Sequence, residues 1–441
     1  MSSGSPTADL PDVTARAYAD ALDAADPLRE FRDRFMPLSG PDADRLIYLD
    51  GNSLGRPPLS ALDRLHALVE GEWAGGLARS WGASPPTSGR PAWIELPTVV
   101  GDLVGTHVLG AAPGQVVISD STTVNLYKLA VAALDVRPDR RTIITEAGNF
   151  PTDRYVLEGL ASARGLRIEY LNFDAIAGCA ASDLAAVLST DVALVCLSHV
   201  DYRSAVIADM AGITRAAHEV GALVLWDLCH SVGSVPIDLD SAGVDLAVGC
   251  TYKYLDAGPG APAFLYVRKE LQSSLRQPIW GWFGQRDQFE MGASYDPALT
   301  IDRFTTGTPN ILGITLVEAG VELLTEAGVD RLRAKGIALT SYLIDLFDQW
   351  LAPLGFELAS PRDAALRGSH ISLRHPGALR LCRALLDEHV VPDYREPDLV
   401  RFGMAALTTS FADVHEAMHR LQAIVISGRY LDVETVRPRV T

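Results

Sequence analysis

Short, continuously apolar segments alternate with helical patterns through the middle of the chain. Helical patterns occur at residues 124–134, 154–164 and 210–220. The apolar segments between them are rich in valine, leucine and isoleucine, and they lie at residues 115–119, 142–145, 192–198, 222–227, 246–249 and 263–267. Continuous apolar runs are typical of strands that are buried on both faces. This βαβα order predicts an α/β fold with a mostly parallel sheet and helices on both faces.

The length of 441 residues predicts more than one domain. A helical pattern at residues 311–327 leads away from the predicted sheet, and mixed helix and strand patterns follow it, including a strand candidate at 369–373. We expect a large domain at residues 51–315 and a smaller C-terminal α+β domain at residues 316–441. Residues 1–50 are expected to form an N-terminal segment that packs with the small domain.

Composition and charge narrow the class of protein. Hydrophobic residues make up 48% of the chain, which is enough for a buried core, and the net charge is −17. This acidic balance argues against nucleic acid or an anionic membrane as a partner. Neither a signal peptide nor a membrane span is predicted, so we expect a cytoplasmic protein.

Cysteine usage points to the same compartment. The five cysteines show no C-x-x-C spacing, and they are Cys179, Cys196, Cys229, Cys250 and Cys382. A sparse, odd-numbered set predicts buried thiols in a reducing compartment, with neither a disulfide framework nor a metal site.

Lysine is rare, and the other basic residues are arginines. The four lysines are Lys128, Lys253, Lys269 and Lys335. Lys269 and Lys335 lie in charged helical surroundings, and we expect them to be solvated. Lys253 lies just past a predicted strand, in GCTYKYLDAGPG. Ligands of parallel sheets bind at strand ends, so Lys253 is a candidate Schiff-base nucleophile, and a lysine packed along the sheet edge is the alternative.

Two other segments place polar residues at predicted strand ends. In VLWDLCHSVG a strand ends at Asp227, whose carboxylate is suited to pair with a protonated pyridine nitrogen, and capping of the next turn is the alternative. In SDSTTVNLYKLA a strand ends in Ser-Thr-Thr before a helix, which favours an anion site, and N-capping by Ser121 or Thr122 is the alternative. An anion site, an acid and a lysine in this order resemble the fold type I enzymes that depend on pyridoxal phosphate.

A more specific resemblance extends from about residue 48 to residue 426. It is carried by YLDGNSLGRPP, DSTTVNLYK, NFPTDRY, WDLCHSVGSVPIDL, GCTYKYLDAGPG, GWFGQ, RFTTGTPNI and DLVRFGMAAL, which resemble the kynureninase family. The resemblance implies a fold type I architecture, a pyridoxal 5'-phosphate cofactor and a homodimer with shared active sites. It also implies hydrolysis of L-kynurenine, or of a ring-substituted kynurenine, to anthranilate or its analogue and L-alanine by cleavage of the Cβ–Cγ bond.

The resemblance also implies roles for individual residues. Lys253 would carry the cofactor and move protons, Asp227 would pair with the ring nitrogen, and Tyr252 would transfer a proton. The other implied cofactor-binding residues are Thr122, Thr123, Phe150, Asp153, Ser198, His230, Trp282 and Thr308. The implied substrate-binding residues are Asn52, Ser53, Trp81, Phe283, Gly307 and Arg401.

Some of these roles carry a geometric expectation. Arg401 would clamp the substrate carboxylate through paired hydrogen bonds. Trp282 and the turn at residues 307–308 would reach the active site of the neighbouring subunit. Core packing is the alternative for Phe150 and Trp282, and a surface charge is the alternative for Arg401.

The chain departs from the family pattern at several positions. Asp256 stands where the family often has Asn, and Cys229 replaces a usual Ala. Ala406 and Thr408 stand where Pro and Tyr are frequent. These two residues and Asp256 change the expected shape of the substrate pocket. Trp81 and the Gly-Thr pair at residues 307–308 resemble the bacterial type, which implies a preference for L-kynurenine over 3-hydroxykynurenine.

Two other functions compete with this hypothesis. A cysteine desulfurase-like lyase shares the fold, but such enzymes typically have His directly before the lysine, where this chain has Tyr252, and Cys382 lies in a helical pattern rather than a loop. A non-catalytic binding protein on the same fold is the third hypothesis, and the presence of Lys253, Asp227 and Arg401 argues against it.

Overall fold

The computed structural model describes residues 12–40, 42–82 and 90–434. The helices are α1 (Arg16–Ala25), α2 (Leu59–Ala67), α3 (Leu96–Val104), α4 (Thr122–Asp135), α5 (Pro151–Arg164), α6 (Ala181–Ala185), α7 (Met210–Glu219), α8 (Lys269–Gln272), α9 (Ile311–Ala327), α10 (Val329–Leu346), α11 (Ala378–Asp387) and α12 (Phe411–Ser427). The strands are β1 (Ile47–Tyr48), β2 (Val116–Ile118), β3 (Thr142–Glu146), β4 (Arg167–Leu171), β5 (Val192–Ser198), β6 (Leu223–Asp227), β7 (Leu246–Gly249), β8 (Phe264–Val267), β9 (Glu357–Leu358), β10 (His370–Arg374), β11 (Val390–Val391), β12 (Asp393–Arg395) and β13 (Leu399–Gly403).

A seven-stranded sheet forms the centre of the molecule, in the order β2-β8-β7-β6-β5-β3-β4. All six predicted strands occur within one residue of their expected ends, and every pairing is parallel except those of β8. Strand β8 follows β7 without an intervening helix, so it returns antiparallel. The expected α/β fold with a mostly parallel sheet is confirmed.

The central sheet is buried on both faces, as the continuous apolar runs predicted. Along β6, Val224 and Trp226 belong to one hydrophobic cluster, while Leu223 and Leu225 belong to another. Helices α3, α7 and α9 pack on the first face, and α4 and α5 pack on the second. Strand β4 was not predicted because it lies at the sheet edge, where its residues are mostly exposed or partly buried.

A second, antiparallel sheet in the order β12-β13-β10-β9 packs against α10, α11 and α12 around its own hydrophobic cluster. Strand β1 pairs with β11, and Ile47 and Leu49 join this second cluster. Helix α9 runs without a break through the expected boundary at residues 315 and 316, and its buried Val317 and Leu324 belong to the cluster of the central sheet. The division into domains stays a prediction.

The burial of the cysteines agrees with the sequence, whereas that of one lysine does not. All five cysteines are buried and free, and Lys269 is exposed. The expectation that Lys335 is solvated is wrong, because its Nζ lies in a buried ion pair 2.7 Å from Asp26 of the N-terminal segment. Within the described ranges, no helix combines the length and the apolar character needed to cross a membrane.

Candidate active site

Three neighbouring strands of the central sheet end in polar residues at one edge. Strand β3 ends at Glu146, β5 at Ser198 and β6 at Asp227, and Ser198 is paired in register with Asp227. Lys253 follows the end of β7 by four residues. Because the carboxyl ends of parallel strands lie at the same edge, these side chains surround one region of the molecule.

The loop that carries Lys253 is packed directly against the N-terminal GNSLG segment. The N–H of Gly55 donates a hydrogen bond to the carbonyl of Tyr252 at 2.8 Å. A side chain at position 55 would overlap the Lys253 carbonyl, so only glycine allows this approach. This contact brings the substrate candidates Asn52 and Ser53 to the same edge of the sheet as Lys253.

Lys253 is paired with a histidine. Its Nζ lies 2.9 Å from Nε2 of His230, which is buried in the turn after β6. Burial lowers the pKa of His230 well below its usual range, and the nearby Lys253 charge lowers it further. His230 is therefore a neutral imidazole at pH 7, and Nε2 accepts the hydrogen bond when Lys253 is an ammonium group.

Asp227 both caps a turn and faces a second acid. One of its oxygens accepts the N–H of Cys229 at 2.6 Å, so Asp227 caps the next turn, as the alternative proposed. This bond uses only one of the two carboxylate oxygens. Asp153, in the first turn of α5, is buried, and Oδ2 has no hydrogen-bond partner among the described residues. Burial raises the pKa of Asp153 well above its usual range, and the neighbouring Asp227 carboxylate raises it further.

The predicted anion site lies at the start of α4. Ser121 is the N-cap and accepts the N–H of Val124 at 3.4 Å, while Thr122 is the first helical residue. A cavity of about 510 Å³ adjoins this helix start. Its lining includes Thr122, Thr123, Tyr252, Phe283, Gly307 and Thr308. The cavity therefore joins the predicted phosphate-binding residues to part of the predicted substrate site, although Lys253 and Asp227 do not line it.

Arg401 lies in the middle of β13 and is fully buried, so the surface-charge alternative is wrong. Its guanidinium donates hydrogen bonds to the Tyr202 carbonyl at 2.5 Å and to the Ser53 hydroxyl at 3.2 Å, and it pairs with Asp393. With its amide oxygen toward Arg401, Asn52 accepts from the guanidinium Nε at 2.8 Å. These contacts hold the guanidinium in one orientation.

The aromatic residues of the predicted site lie in ring–ring contacts, and one of them, Phe283, lines the cavity. The Trp81 ring packs edge-on against Trp93 and Phe283, with centroids 5.4 and 6.0 Å away. Trp282 contacts Phe283 at 4.5 Å, but its side chain is 43% exposed, which does not fit the core-packing alternative. Phe150 is 37% exposed, and its ring meets that of Tyr202 edge-on at 5.2 Å.

The comparisons with known proteins decide the family. A kynureninase of Pseudomonas fluorescens is 41% identical over 429 residues, which cover 96% of this chain and 97% of that protein. A kynureninase of Burkholderia pseudomallei (strain 1106a) is 40% identical over 94% of this chain and 96% of its own length. This chain belongs to the kynureninase family. Residues 332–421 also match the family model described as the kynureninase C-terminal domain.

Solved structures with a similar fold are more distant in sequence than the kynureninases. A cysteine desulfurase from Thermococcus onnurineus NA1 superimposes with a TM-score of 0.75 at 18% identity, over 90% of this chain and 98% of that one. A variant of C-DES with glycine covalently linked to its pyridoxal phosphate gives 0.74 at 18% identity, over 89% and 98% of the two chains. The predicted fold type, kynureninase class and pyridoxal phosphate cofactor are confirmed. The desulfurase alternative has only the fold in its favour, and Cys382 is buried in α11.

The residues present fit the cofactor of kynureninases. Two buried polar atoms at the site, Asp153 Oδ2 and His230 Nδ1, have no hydrogen-bond partner within the part of the chain that the structure describes. The start of α4 faces a cavity and offers backbone N–H groups and threonine hydroxyls to an anion. Burial also raises the pKa of Tyr252, so its hydroxyl keeps a proton to donate at neutral pH.

Sequence reasoning missed several residues of this candidate site. Glu146 ends β3 in the same way that Asp227 ends β6, so the strand-end argument would have found it. Asp393, Tyr202 and the buried His370 carry no comparable pattern, because each reaches the site only through the packing of distant segments.

Proposed function

We propose that this chain hydrolyses L-kynurenine, or a ring-substituted kynurenine, to anthranilate or its analogue and L-alanine. The observation that carries the proposal is the position of Lys253, whose Nζ is held 2.9 Å from the neutral His230 at the sheet edge where β6 ends in Asp227. A lysine in this position is suited to form a covalent bond with a carbonyl cofactor.

Pyridoxal phosphate, when bound, supplies a protonated ring that withdraws electrons from the carbon next to its covalent linkage. In the proposal, Asp227 would keep the proton on the ring nitrogen, with the buried Asp153 beside it as a second acid. Thr122, Thr123 and the first N–H groups of α4 would hold the phosphate. Phe150, Ser198 and His230 would hold the ring.

The substrate is oriented by its carboxylate in this proposal. Arg401 is always charged, and its planar guanidinium matches a carboxylate through paired hydrogen bonds. Asn52 and Ser53 already contact Arg401 and would complete the carboxylate site. Lys253 removes the proton from the substrate α-carbon and returns protons later in the reaction. Tyr252 donates a proton from the phosphate side. Water adds to the γ-carbonyl of the substrate, the Cβ–Cγ bond breaks to release anthranilate or its analogue, and Cβ takes up a proton to give L-alanine.

The covalent role of Lys253 is tested by trapping. The purified holoenzyme should show a visible absorption band that disappears on borohydride reduction, and peptide mapping should place the label on Lys253. Lys253→Ala should abolish turnover of L-kynurenine, while Lys269→Ala, which changes an exposed lysine, should leave it unchanged. A label on any other lysine would refute the assignment.

We also propose that the chain is a homodimer whose subunits share active sites. Large apolar side chains are exposed around the segment that carries Trp282, including Trp280 at 60%, Phe289 at 68% and Met291 at 70%. Such a concentration of exposed apolar surface is typical of protein interfaces. The neighbouring cavity contains Gly307 and Thr308, which are both exposed.

A cytoplasmic location stays a prediction, and the five buried free thiols support it.

A further inference from the structure

The end of β3 holds a buried carboxyl group to which no role has been given. The Glu146 side chain is buried, and one of its oxygens accepts the backbone N–H of Ser198 at 2.7 Å. Ser198 ends β5 and is the register partner of Asp227 in β6. Through this single hydrogen bond, Glu146 fixes the strand end that lies beside the proposed partner of the cofactor ring.

Glu146 belongs to a cluster of three buried acids. The other two are Asp153 and Asp227, and all three are close enough for the charge of each to affect another. Three carboxylates in a buried site cannot all be ionised at low cost. Asp227 is stabilised by the Cys229 N–H, and Asp153 lies in the field of Lys253. Burial raises the pKa of both Glu146 and Asp153 above the usual range, so these two members are suited to remain neutral, and Glu146 forms no ion pair among the described residues.

A second cavity gives Glu146 its own route for proton exchange. This cavity has a volume of about 280 Å³, and it shares no lining residue with the cavity at the start of α4. Its lining includes Glu146, Gly148, Phe173, Asp201, Arg203 and Arg374. A cavity of this size holds several water molecules, so Glu146 can exchange a proton without access through the substrate site.

We propose that Glu146 is a positioning residue of the cofactor site, which acts as a neutral carboxyl group that fixes the end of β5 and leaves Asp227 as the anion. The inference rests on the proposed pairing of Asp227 with the ring nitrogen. Burial raises the pKa of Glu146 to about 8, with smaller contributions from Asp201 and Asp227. The titratable and charged groups that face it are Asp153, Cys179, Cys196, Asp201, Arg203, Asp227 and Arg374.

The pKa of Glu146 has a defined effect on stability. In the unfolded chain a glutamate loses its proton near pH 4.3, whereas folded Glu146 keeps its proton up to about pH 8. Between these values the folded state binds one more proton than the unfolded state, so this group makes folding less favourable as pH rises. Glu146→Gln removes the titration, and its melting temperature should rise relative to the wild type from pH 5 to pH 8 and then stay constant.

The decisive experiment compares two variants of the holoenzyme by cofactor affinity and absorption spectrum. Glu146→Gln stays neutral and keeps an acceptor for the Ser198 N–H, so at pH 7 it should bind pyridoxal phosphate within about twofold of the wild type with an unchanged absorption maximum. Glu146→Met leaves that buried N–H without a partner, and it should weaken cofactor binding about tenfold or more.

A matched control is Asp245→Asn. Asp245 is also buried and accepts a strand N–H, that of Val224 at 2.9 Å, but at the opposite end of β6. Its substitution should leave cofactor affinity and the spectrum unchanged.

Two results would overturn the inference. One is a shifted absorption maximum or a tenfold loss of cofactor affinity in Glu146→Gln at pH 7, because Glu146 would then act as an anion. The other is wild-type cofactor affinity in Glu146→Met. Failure of the proposed function is distinguishable from both, because it appears as a wild-type holoenzyme that binds the cofactor but does not turn over L-kynurenine.

Discussion

Arg401 donates a hydrogen bond to the hydroxyl of Ser53, a residue 348 positions earlier in the chain. The contact joins β13 of the second sheet to the GNSLG segment, which itself packs on the Lys253 loop. The GNSLG segment therefore connects Arg401, the candidate for binding the substrate carboxylate, with Lys253, the candidate for binding the cofactor. A displacement of this segment would change the distance between the two ends of the substrate site.

The role of Arg401 is tested by Arg401→Lys in the holoenzyme. Lysine keeps the charge but loses the planar pair of donors. Hydrogen bonds to charged groups contribute about 1.5–3 kcal/mol, so KM for L-kynurenine should rise roughly 10- to 150-fold while the cofactor spectrum stays normal.

Arg395→Lys is the control for this prediction. Arg395 also pairs with Asp393, at 2.8 Å, but it does not contact Ser53. Its KM should change much less than that of Arg401→Lys. An unchanged KM in Arg401→Lys would exclude the carboxylate role.

The central sheet could be predicted because its evidence is local. Strands that are buried on both faces are mainly apolar, and each was visible in a window of a few residues. The positions of Asp227 and Lys253 follow from the same strands, because polar residues at the end of an apolar run, or a few residues after it, lie at the sheet edge. Glu146 obeys this rule as well, since it directly follows the predicted strand at residues 142–145.

The remaining site could not be predicted from patterns because its contacts join distant segments. Asp393 and Arg401 are register partners in two antiparallel strands. They are eight positions apart, and no pattern in the intervening sequence indicates that they pair. Lys335 has charged neighbours in sequence, yet the N-terminal segment covers it and supplies Asp26. Whether a helix face is buried depends on the segment that packs on it, and the sequence of the helix alone does not identify that segment.

We expect removal of one partner of the Lys335–Asp26 ion pair to destabilise the protein more than removal of both charges. Lys335→Met leaves a buried carboxylate without its partner, so the free energy of unfolding should fall by about 3–5 kcal/mol. Adding Asp26→Asn removes the unpaired charge but keeps an acceptor for the Leu28 N–H, and the double variant should recover most of the loss. Thermal unfolding of the holoenzyme measures both. A double variant less stable than Lys335→Met would contradict this account.

The shared active site is tested by mixing inactive subunits. If Trp282 acts in the partner's site, a mixed dimer of Lys253→Ala and Trp282→Ala subunits contains one intact site. Refolding the two variants together should then restore up to about a quarter of the wild-type activity, because about half of the dimers are mixed. Light scattering should give twice the chain mass.

The control for mixing is Lys253→Ala with Thr122→Ala. Thr122 lies at the start of α4 in the same chain as the Lys253 that it serves, so neither site of this mixed dimer is intact. No activity should return. A fully active monomer would refute the dimer proposal, and equal recovery in both mixtures would show that Trp282 does not act across the interface.

The last prediction concerns the substrate ring, for which L-kynurenine should be preferred over 3-hydroxykynurenine. Trp81 packs on Phe283 beside the cavity, and its single N–H cannot accept a hydrogen bond from a ring hydroxyl. Gly307 adds no side chain, and no atom lies within 4 Å of the position that a Cβ would take there. A buried 3-hydroxyl would then lose its water without a good partner, at about 1–3 kcal/mol.

This cost corresponds to a roughly five- to 150-fold lower kcat/KM for 3-hydroxykynurenine. Two hydroxyls oppose the prediction, since Thr308 lines the cavity and the buried Thr408 stands where the family often has a tyrosine. Steady-state kinetics with both substrates measures the ratio. Trp81→His introduces a ring nitrogen that can accept the 3-hydroxyl proton, so it should narrow the preference without changing cofactor binding. A wild-type preference for 3-hydroxykynurenine would show that Thr308, Thr408 or an ordered water supplies the partner that Trp81 lacks.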